Sequence, residues 1–399
     1  MRLFFILFFF LMTGITNAQS AKELLAIANS TELTETNFYE EMPYEDKFGY
    51  IIIKVKIGEE TYDYIYDTGG YNTLTSDIMS KNELPTLVET EVGSANQIKS
   101  MMTITKIPTV DIGGIEFNEV GAFNIDFDQA PQIQCYTNGG LIGKGLIRHA
   151  VWQINSVDQK ITLTDDIEKL SNLENAIRLK VDFDKTYNPF IKAKVNGKNL
   201  NFLLDLGYGG MISLVEKDGE KFASEKKVKA IGQGSVGANG AIFEDTFYTD
   251  LKSFELGGVE IPNQFARYGK SNNYNLIGAE ITKHFILTLN FKEKELWLTS
   301  IQNSNGTDPK EVFGLDLDQK GEKVYVSKLF EGLPADQAGI KLEDQVVSIN
   351  GKKVESFESY CHFYDYLQEI FINGSEANLE VLRDEEIELF ELSKSPLIE

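Results

Sequence analysis

The 399-residue sequence is poor in cysteine, histidine, proline and positively charged residues. Its two Cys and three His residues cannot supply a disulfide framework or a zinc site built from Cys and His. With nine Pro and 33 Gly residues, the sequence is neither collagen-like nor typical of a Pro-rich linker protein. The 38 Lys and Arg residues are outnumbered by 61 Asp and Glu residues, so the formal net charge is −23. A surface this acidic repels phosphate backbones, which excludes nucleic acid as a partner.

Long apolar runs are also scarce, and the most prominent one lies near the N-terminus. Arg2 precedes an apolar run over residues 3–12, and small and polar residues follow as far as Ala18. This pattern is typical of a secretory signal peptide cleaved after Ala18. The run is shorter than the roughly 20 residues that a spanning helix needs. We therefore expect an exported protein, periplasmic or secreted, without a stable membrane span. The alternative is a buried N-terminal helix or an uncleaved anchor.

The sequence contains an internal repeat, in which a β-rich unit occurs twice. Residues 53–70 and 191–210 both alternate apolar and polar residues around a Gly turn, which predicts a β-hairpin. Later landmarks recur in the same order and at matched spacing, which predicts two similar lobes. The paired landmarks are Asp67 and Asp205, Gly69 and Gly207, the Leu-Ile-Gly segments 141–143 and 276–278, and His149 and His284.

Each copy places an Asp at the end of an apolar strand, where an isolated charge is costly unless it is paired or hydrogen-bonded. If the two copies are related by a pseudo-twofold axis, Asp67 and Asp205 face each other and share one proton. The ionised carboxyl can then take a proton from water while the protonated one polarises a carbonyl group. Gly69 and Gly207 let the chain turn sharply enough to direct each carboxyl at the other. This arrangement predicts peptide-bond hydrolysis without a covalent intermediate.

The sequence resembles the aspartic peptidases of the pepsin and retropepsin kind over about residues 48–300. The resemblance rests on Ile-Tyr-Asp-Thr-Gly at 65–69 and Leu-Leu-Asp at 203–205, each paired with its Leu-Ile-Gly segment. It implies a mainly β fold with two pepsin-like lobes, equivalent to duplicated retropepsin-like barrels. It also implies that Asp67 and Asp205 are catalytic, that polypeptides are the substrates, and that no cofactor or metal takes part.

The resemblance further implies that Thr68 supports the dyad through hydrogen bonds between the two Asp loops. The second copy departs from the family pattern, because Leu206 stands where that Thr is expected. The residues after the loop glycines, Gly70 and Tyr208, also lack the hydroxyl group that pepsin has there. These departures leave open an alternative function, a catalytically impaired pseudo-peptidase that acts as a peptide-binding or scaffold protein of the cell envelope.

Two Gly-rich segments, residues 92–96 and 231–241, are candidates for the flap that covers the substrate in this family. The second contains a formal G-x-G-x-x-G at 232–237, but no βαβ unit surrounds it, so a dinucleotide site is not predicted. His149 and His284 occupy equivalent positions six residues after a repeat glycine. We therefore expect a structural role for both rather than catalysis or metal binding.

The C-terminal part resembles a PDZ domain of the bacterial export type over about residues 311–394. The resemblance rests on Leu-Pro-Ala at 333–335, Ala-Gly-Ile at 338–340 and Ile-Asn-Gly at 349–351. It implies that the backbone amides of Phe313, Gly314 and Leu315 hold the terminal carboxylate of a peptide. The peptide would add as a strand between residues 315–317 and a helix at 357–371. The alternative is a PDZ domain that only packs against the lobes.

Together these patterns predict a fixed order of segments along the chain. Aromatic residues of the N-terminal extension are expected to pack on the first lobe, and residues 165–176 to form a short helix or linker. Cys135 and Cys361 fall in different domains, so we expect them to be unpaired. The predicted segments are a signal peptide (1–18), an N-terminal extension (19–48), the first lobe (49–164), an inter-lobe linker (165–185), the second lobe (186–300), a second linker (301–310) and the PDZ domain (311–394).

Overall fold

The computed structural model of the protein describes residues 18–93, 99–237, 240–301 and 310–398. Most of the predicted signal peptide, most of the linker at 301–310 and parts of both candidate flaps lie outside these ranges. Within the described ranges, no helix is both long enough and apolar enough to cross a membrane.

The first half of the chain is built mainly from strands whose alternating side chains face a core on one side, as a period of two requires. Its strands are β1 (Tyr39–Pro43), β2 (Glu45–Lys47), β3 (Tyr50–Ile57), β4 (Glu60–Asp67), β5 (Thr73–Leu74), β6 (Val88–Gly93), β7 (Lys99–Ile112), β8 (Ile115–Asn124), β9 (Gly140–Gly143), β10 (Val151–Asn155) and β11 (Lys160–Thr164). Its helices are α1 (Ala18–Ala28), α2 (Ser76–Lys81), α3 (Pro131–Gln134) and α4 (Lys144–Ile147).

The second half has the same character, and among its described residues one α-helix is found, α5 (Glu216–Phe222). Its strands are β12 (Ile177–Lys180), β13 (Asp182–Phe183), β14 (Pro189–Val195), β15 (Lys198–Leu204), β16 (Ile212–Val215), β17 (Lys227–Gly237), β18 (Gly240–Phe243), β19 (Thr246–Asp250), β20 (Phe254–Leu256), β21 (Val259–Glu260), β22 (Phe265–Gly269), β23 (Leu276–Ile277), β24 (Phe285–Asn290) and β25 (Glu295–Ser300).

The C-terminal domain has a core of its own between its strands and its long helix. Its elements are β26 (Glu311–Val312), β27 (Leu315–Lys320), β28 (Lys323–Phe330), α6 (Pro334–Gln337), β29 (Gln345–Ile349), β30 (Lys352–Lys353), α7 (Tyr360–Asn373), β31 (Glu376–Arg383), β32 (Glu386–Ser393) and β33 (Ser395–Pro396).

Strand pairing confirms the mainly β, two-lobed architecture followed by a separate C-terminal domain. In the first lobe β3 and β4 form an antiparallel hairpin, and β4 then runs parallel to β9. In the second lobe β14 and β15 form the matching hairpin, and β15 runs parallel to β23. The register is the same in both lobes, because Tyr66 lies opposite Ile142 and Leu204 lies opposite Ile277.

A six-stranded sheet in the order β1-β11-β10-β24-β25-β12 joins the two lobes. At its centre β10 of the first lobe pairs antiparallel with β24 of the second, and Trp152 lies opposite Leu289. Both side chains are fully buried. The segment predicted as an inter-lobe linker adds β12 to the edge of this sheet, where Ile177 and Leu179 pack against the common core.

The N-terminal extension packs on the first lobe. Phe38 and Tyr44 are buried in the main core, as expected from the aromatic residues of this segment. Helix α1 also buries Leu24 and Ala28. The helix approaches β8 so closely that a Cβ atom at Gly121 would lie 1.8 Å from the carbonyl oxygen of Ile27, so a larger residue is excluded there.

The C-terminal domain is docked on both lobes. Strand β28 extends the sheet of the second lobe, because residues 328–330 pair antiparallel with residues 230–232 of β17. On the other side, helix α7 packs against α3 of the first lobe. The hydroxyl groups of Tyr136 and Tyr364 are hydrogen-bonded across this contact, and the ring of Phe48 touches both tyrosines.

The expectation that Cys135 and Cys361 are unpaired is wrong. The two residues form a disulfide bond between the end of α3 and the first turn of α7, across a sequence separation of 226 residues. The prediction failed because it treated different domains as distant in space. Side-chain periodicity reports which face of an element is buried within its own domain, and it carries no information about which domain surfaces meet.

We predict that Cys361→Ser lowers the free energy of unfolding by about 4 kcal/mol, because a cross-link that closes a loop of more than about 100 residues restricts the unfolded chain strongly. Urea denaturation followed by circular dichroism measures the change. Wild-type protein treated with dithiothreitol is the matched control and should unfold like the variant. Equal stability of the oxidised wild type and the variant would contradict the prediction.

Candidate active site

The two predicted aspartates lie at the ends of equivalent strands, β4 and β15, and both are fully buried. Asp67 is paired with Gly143 of β9. The amide of Asp205 donates to the carbonyl oxygen of Ile277, at a distance of 2.9 Å. The parallel strands β9 and β23 therefore hold the two aspartates at equivalent positions in the two lobes.

The loop glycines show how closely the two lobes meet. A Cβ atom on Gly69 would lie 2.6 Å from the Cγ atom of Asp205, and one on Gly207 would lie 2.5 Å from the Cγ atom of Asp67. Each glycine thus packs directly against the carboxyl group of the opposite loop, and no side chain fits at either position. The structure therefore brings together the four residues that the duplicated motif had paired.

Backbone amides hold the two carboxyl groups unequally. The Oδ1 atom of Asp67 accepts hydrogen bonds from the amides of Gly69 and Gly70, both 2.8 Å long. The Oδ1 atom of Asp205 accepts one from the amide of Gly207, 3.1 Å long. Because amide donors stabilise a carboxylate, this arrangement favours the negative charge on Asp67.

Burial raises the pKa of both carboxyl groups, which lie within hydrogen-bonding reach of each other. The pKa of Asp67 rises to about 6, because the loop amides and the hydrogen bond from Asp205 offset part of the desolvation. Burial and the nearby charge of Asp67 raise the pKa of Asp205 well above its ordinary value. The pair therefore carries one proton at neutral pH.

Thr68 connects the two Asp loops, as the family resemblance implies. Its hydroxyl group donates to the carbonyl oxygen of Leu204, at 2.7 Å, and accepts from the amide of Leu206, at 3.0 Å. The reciprocal connection is missing, because Leu206 has no hydroxyl group and its side chain is fully buried in the apolar core. The bridge between the loops therefore runs in one direction, from the first lobe to the second.

Sequence reasoning missed a buried lysine next to this pair. Lys144 follows the Leu-Ile-Gly segment of the first lobe, and its side chain is only 1% exposed. Its ammonium group donates to the carbonyl oxygen of Gly69 at 3.2 Å and also to the Oδ1 atom of Asn188. The repeat offered a signal, because the equivalent position of the second lobe is Ala279. A charged residue in one copy and an apolar residue at the equivalent position of the other indicate a role that only the first lobe needs.

The second candidate flap is a hairpin formed by β17 and β18. Val236, near its tip, is buried in an apolar cluster with Tyr71 and Tyr136 of the first lobe and Tyr364 of α7. The hairpin thus touches the first lobe and the C-terminal domain together. Residues 94–96 of the first-lobe candidate lie outside the described residues.

His149 and His284 were expected to have a structural role, and both are partly or fully buried. Burial lowers the pKa of both, and that of His149 falls to about 4 with the help of the adjacent Arg148. Across the part of the chain that the structure describes, no three His, Cys, Asp or Glu residues are grouped so that they could hold a metal ion.

The predicted peptide-binding residues form the loop before β27. Gly314 has φ +83°, and a Cβ atom there would lie 2.6 Å from the side chain of Leu333, so glycine is required. Phe313 is buried against the ring of Phe371, and Leu315 begins β27. The loop is therefore rigid, and one edge of β27 pairs with β28.

Helix α7 begins at Tyr360, three residues later than expected, because the Ser359 hydroxyl group accepts from the amide of His362 and caps the helix. The Tyr360 hydroxyl group donates to the carboxylate of Asp318 on β27, at 3.0 Å. This hydrogen bond connects the helix to the strand on which a peptide would be expected to add.

Comparisons with family models and curated proteins match the C-terminal part of the chain. A family model described as PDZ domain matches residues 311–393. A 50-residue segment is 48% identical to part of the serine protease Do-like HtrB of Bacillus subtilis (strain 168) and covers 12% of this chain. The match spans only 11% of the length of that curated relative.

Two solved structures of aspartic proteases are also similar to this chain. The aspartic proteinase from Irpex lacteus is 11% identical, with a TM-score of 0.40, over 67% of this chain and 99% of that one. A retropepsin-like aspartic protease from Rickettsia conorii is 19% identical, with a TM-score of 0.24, over 31% of this chain and 88% of that one. The two lobes are defined by their matching strand pairings, β3-β4-β9 in the first and β14-β15-β23 in the second. The chain is a mainly β protein with two similar lobes, followed by a C-terminal domain that matches the PDZ domain model.

Proposed function

We propose that the protein is an aspartic-type endopeptidase in which Asp67 and Asp205 activate a water molecule. One observation carries this proposal: two carboxyl groups from duplicated loops are buried against each other, and each is packed on the loop glycine of the other lobe. Two carboxylates at such close range cannot both be ionised at neutral pH. A carboxyl pair that holds one proton provides a general base and a general acid side by side, and hydrolysis of an amide uses both.

In the proposed mechanism Asp67 is the base, because two loop amides stabilise its charge. It accepts a proton from water while the water oxygen forms a bond to the peptide carbonyl carbon. Asp205 donates its proton to the carbonyl oxygen, which gives a neutral tetrahedral diol. Asp67 then gives its proton to the nitrogen atom while Asp205 takes a proton from a diol hydroxyl group. The carbon–nitrogen bond breaks, an amine and a carboxylic acid are released, and the pair is again singly protonated on Asp205.

Leu206 supports the rival function, a peptide-binding protein without activity. A lost buried hydrogen bond costs on the order of 1 kcal/mol. Thr68 still binds both the carbonyl group before Asp205 and the amide after it. The second loop is therefore held from the first lobe, which supports a working dyad.

We predict that Asp67→Asn and Asp205→Asn each reduce cleavage of denatured casein by at least about 10²-fold, the usual scale of acid–base catalysis by one residue. Peptide release is measured from pH 4 to pH 9, with and without a statine-type inhibitor that mimics the attacked carbonyl and its water. Asp182→Asn, at an exposed site, is the matched control and should cleave like the wild type.

Two outcomes decide against the proposal. Undiminished cleavage by both dyad variants would exclude the mechanism. A folded wild-type protein that binds the inhibitor or denatured casein but releases no peptide at any pH would favour the rival function.

We also propose that the PDZ domain binds polypeptide C-termini, with the backbone amides of Phe313, Gly314 and Leu315 holding the carboxylate. The positive φ of Gly314 and the buried Phe313 support this role, because they fix the loop in one conformation. The carbonyl oxygens of Phe313 and Gly314 accept from Ala335 and Phe330, so they are engaged within the domain.

For this second role, we predict that a peptide with a free C-terminal carboxylate binds at least about tenfold more tightly than the same peptide with a C-terminal amide. Hydrogen bonds to a charged group contribute about 1.5–3 kcal/mol, which accounts for the difference. Isothermal titration calorimetry with the dyad variant Asp205→Asn avoids cleavage during the measurement. Equal affinity for the two peptides would show that the loop does not hold a carboxylate.

We further propose that the protein is exported to the periplasm or the medium. The disulfide bond between Cys135 and Cys361 supports this location, because disulfides persist mainly in oxidising compartments.

The predicted signal peptide makes this proposal testable. If the chain is cleaved after Ala18, the N-terminal sequence of the protein isolated from its host should begin at Gln19. An intact N-terminus at Met1 in that protein would contradict cleavage.

A further inference from the structure

Lys144 lies at the point where the two Asp loops and the two lobes meet. It begins α4, directly after Gly143, and its amide donates to the carbonyl oxygen of Gly70, at 3.0 Å. Its ammonium group lies 4.2 Å from the ring centroid of Tyr71. Backbone and side chain of the same lysine therefore both contact the segment that follows Asp67.

The contact with Gly69 connects Lys144 to Asp67 through one residue. Gly69 donates its amide to the carboxylate of Asp67 and accepts the ammonium group of Lys144 at its carbonyl oxygen. The two interactions fix Gly69 from both sides. The carbonyl group of Gly69 and the amide of Gly70 form one peptide group, so Lys144 orients an amide that itself holds the Oδ1 atom of Asp67.

The second contact of the ammonium group crosses to the second half of the chain. Asn188, next to the start of β14, accepts at its Oδ1 atom. Its side-chain nitrogen donates to Asp184 at 2.7 Å, and its amide donates to the same carboxylate at 3.0 Å. Lys144 thus also belongs to a polar chain between the lobes, and a purely structural role is the competing explanation.

The positive charge of Lys144 distinguishes a role in the dyad from a purely structural role, because only the former depends on how that charge acts on the carboxyl groups. The titratable groups that act on the Lys144 ammonium are the carboxyl groups of Asp67, Asp205 and Asp184. The phenol of Tyr71 adds an aromatic face, and Arg148, which follows α4 directly, lies instead over the ring of Tyr187.

Burial lowers the pKa of Lys144 to about 8, so the side chain is still charged where Asp67 ionises. Its positive charge lowers the pKa of both dyad carboxyls. A buried carboxylate is stabilised most by an opposite charge that is itself shielded from water.

We infer that Lys144 is a positioning residue of the dyad, which orients the peptide group between Gly69 and Gly70 and supplies the positive charge that favours the singly ionised carboxyl pair. The role of this lysine in catalysis rests on the proposed endopeptidase function. The second lobe has no counterpart, because Ala279 occupies the equivalent position. The lysine contacts the loop of Asp67 at Gly69, so it adds to the two amides that already favour the negative charge on Asp67.

The test is a titration of the dyad that needs no substrate. Protein labelled with ¹³C at the aspartate carboxyl groups is followed by NMR from pH 4 to pH 9, and the dyad signals are identified by their loss in Asp67→Asn and Asp205→Asn. In Lys144→Met the midpoint of dyad ionisation should rise by about one pH unit, a tenfold change in the acid dissociation constant. In Lys144→Arg, which keeps the charge, it should return close to the wild-type value.

Two variants of Asn188 separate charge from the connection between lobes. Asn188→Ala removes the polar chain and leaves the lysine charged, so the midpoint should stay near the wild-type value even if the melting temperature falls. Asn188→Asp places a carboxylate against the same ammonium group and should raise the midpoint without removing the lysine. If Lys144→Met does not fold, Asn188→Asp still tests whether the charge of Lys144 acts on the ionisation of the dyad.

An unchanged midpoint in Lys144→Met or in Asn188→Asp, together with lower thermal stability, would overturn the inference and leave Lys144 as a connection between lobes. The acidic limb of kcat/KM should follow the NMR midpoint in each active variant. If no variant cleaves peptide, wild type included, the proposed function fails, while the titration still decides the role of the lysine.

Discussion

The close packing of two acidic loops is the constraint on which the rest of the structure depends. Each loop glycine fills the space beside the carboxyl group of the opposite lobe, so the lobes meet with no room for a side chain at either position. Such contact is possible only if the lobes are held at a fixed distance. The six-stranded sheet, with β10 and β24 paired at its centre, provides that fixed distance.

Much of this arrangement could be predicted from the sequence, because the same motifs occur in the same order in both copies of the repeat. The matched spacing of the Asp and Leu-Ile-Gly segments corresponds to the parallel pairing of β4 with β9 and of β15 with β23. Thr68 was expected to connect the loops, and its hydroxyl group does so. The catalytic role of Asp67 and Asp205 stays a prediction.

Other features could not be predicted, because they arise between segments that no repeat relates. The disulfide bond, the docking of α7 on α3 and the pairing of β17 with β28 all depend on which surfaces of separate domains meet. Lys144 belongs to the same class. Its residue type is visible in the sequence, but a lysine is usually exposed, and only the fold shows that this one is buried beside the dyad.

The pairing of β17 with β28 has a mechanical consequence. The same strand that continues into the β17–β18 hairpin is hydrogen-bonded to the PDZ domain through residues 230–232. A PDZ domain attached only by a linker could rotate without effect on the lobes. Here a rotation about α7 would either break that strand pairing or displace the hairpin, so the orientation of the C-terminal domain and the position of the hairpin cannot change independently.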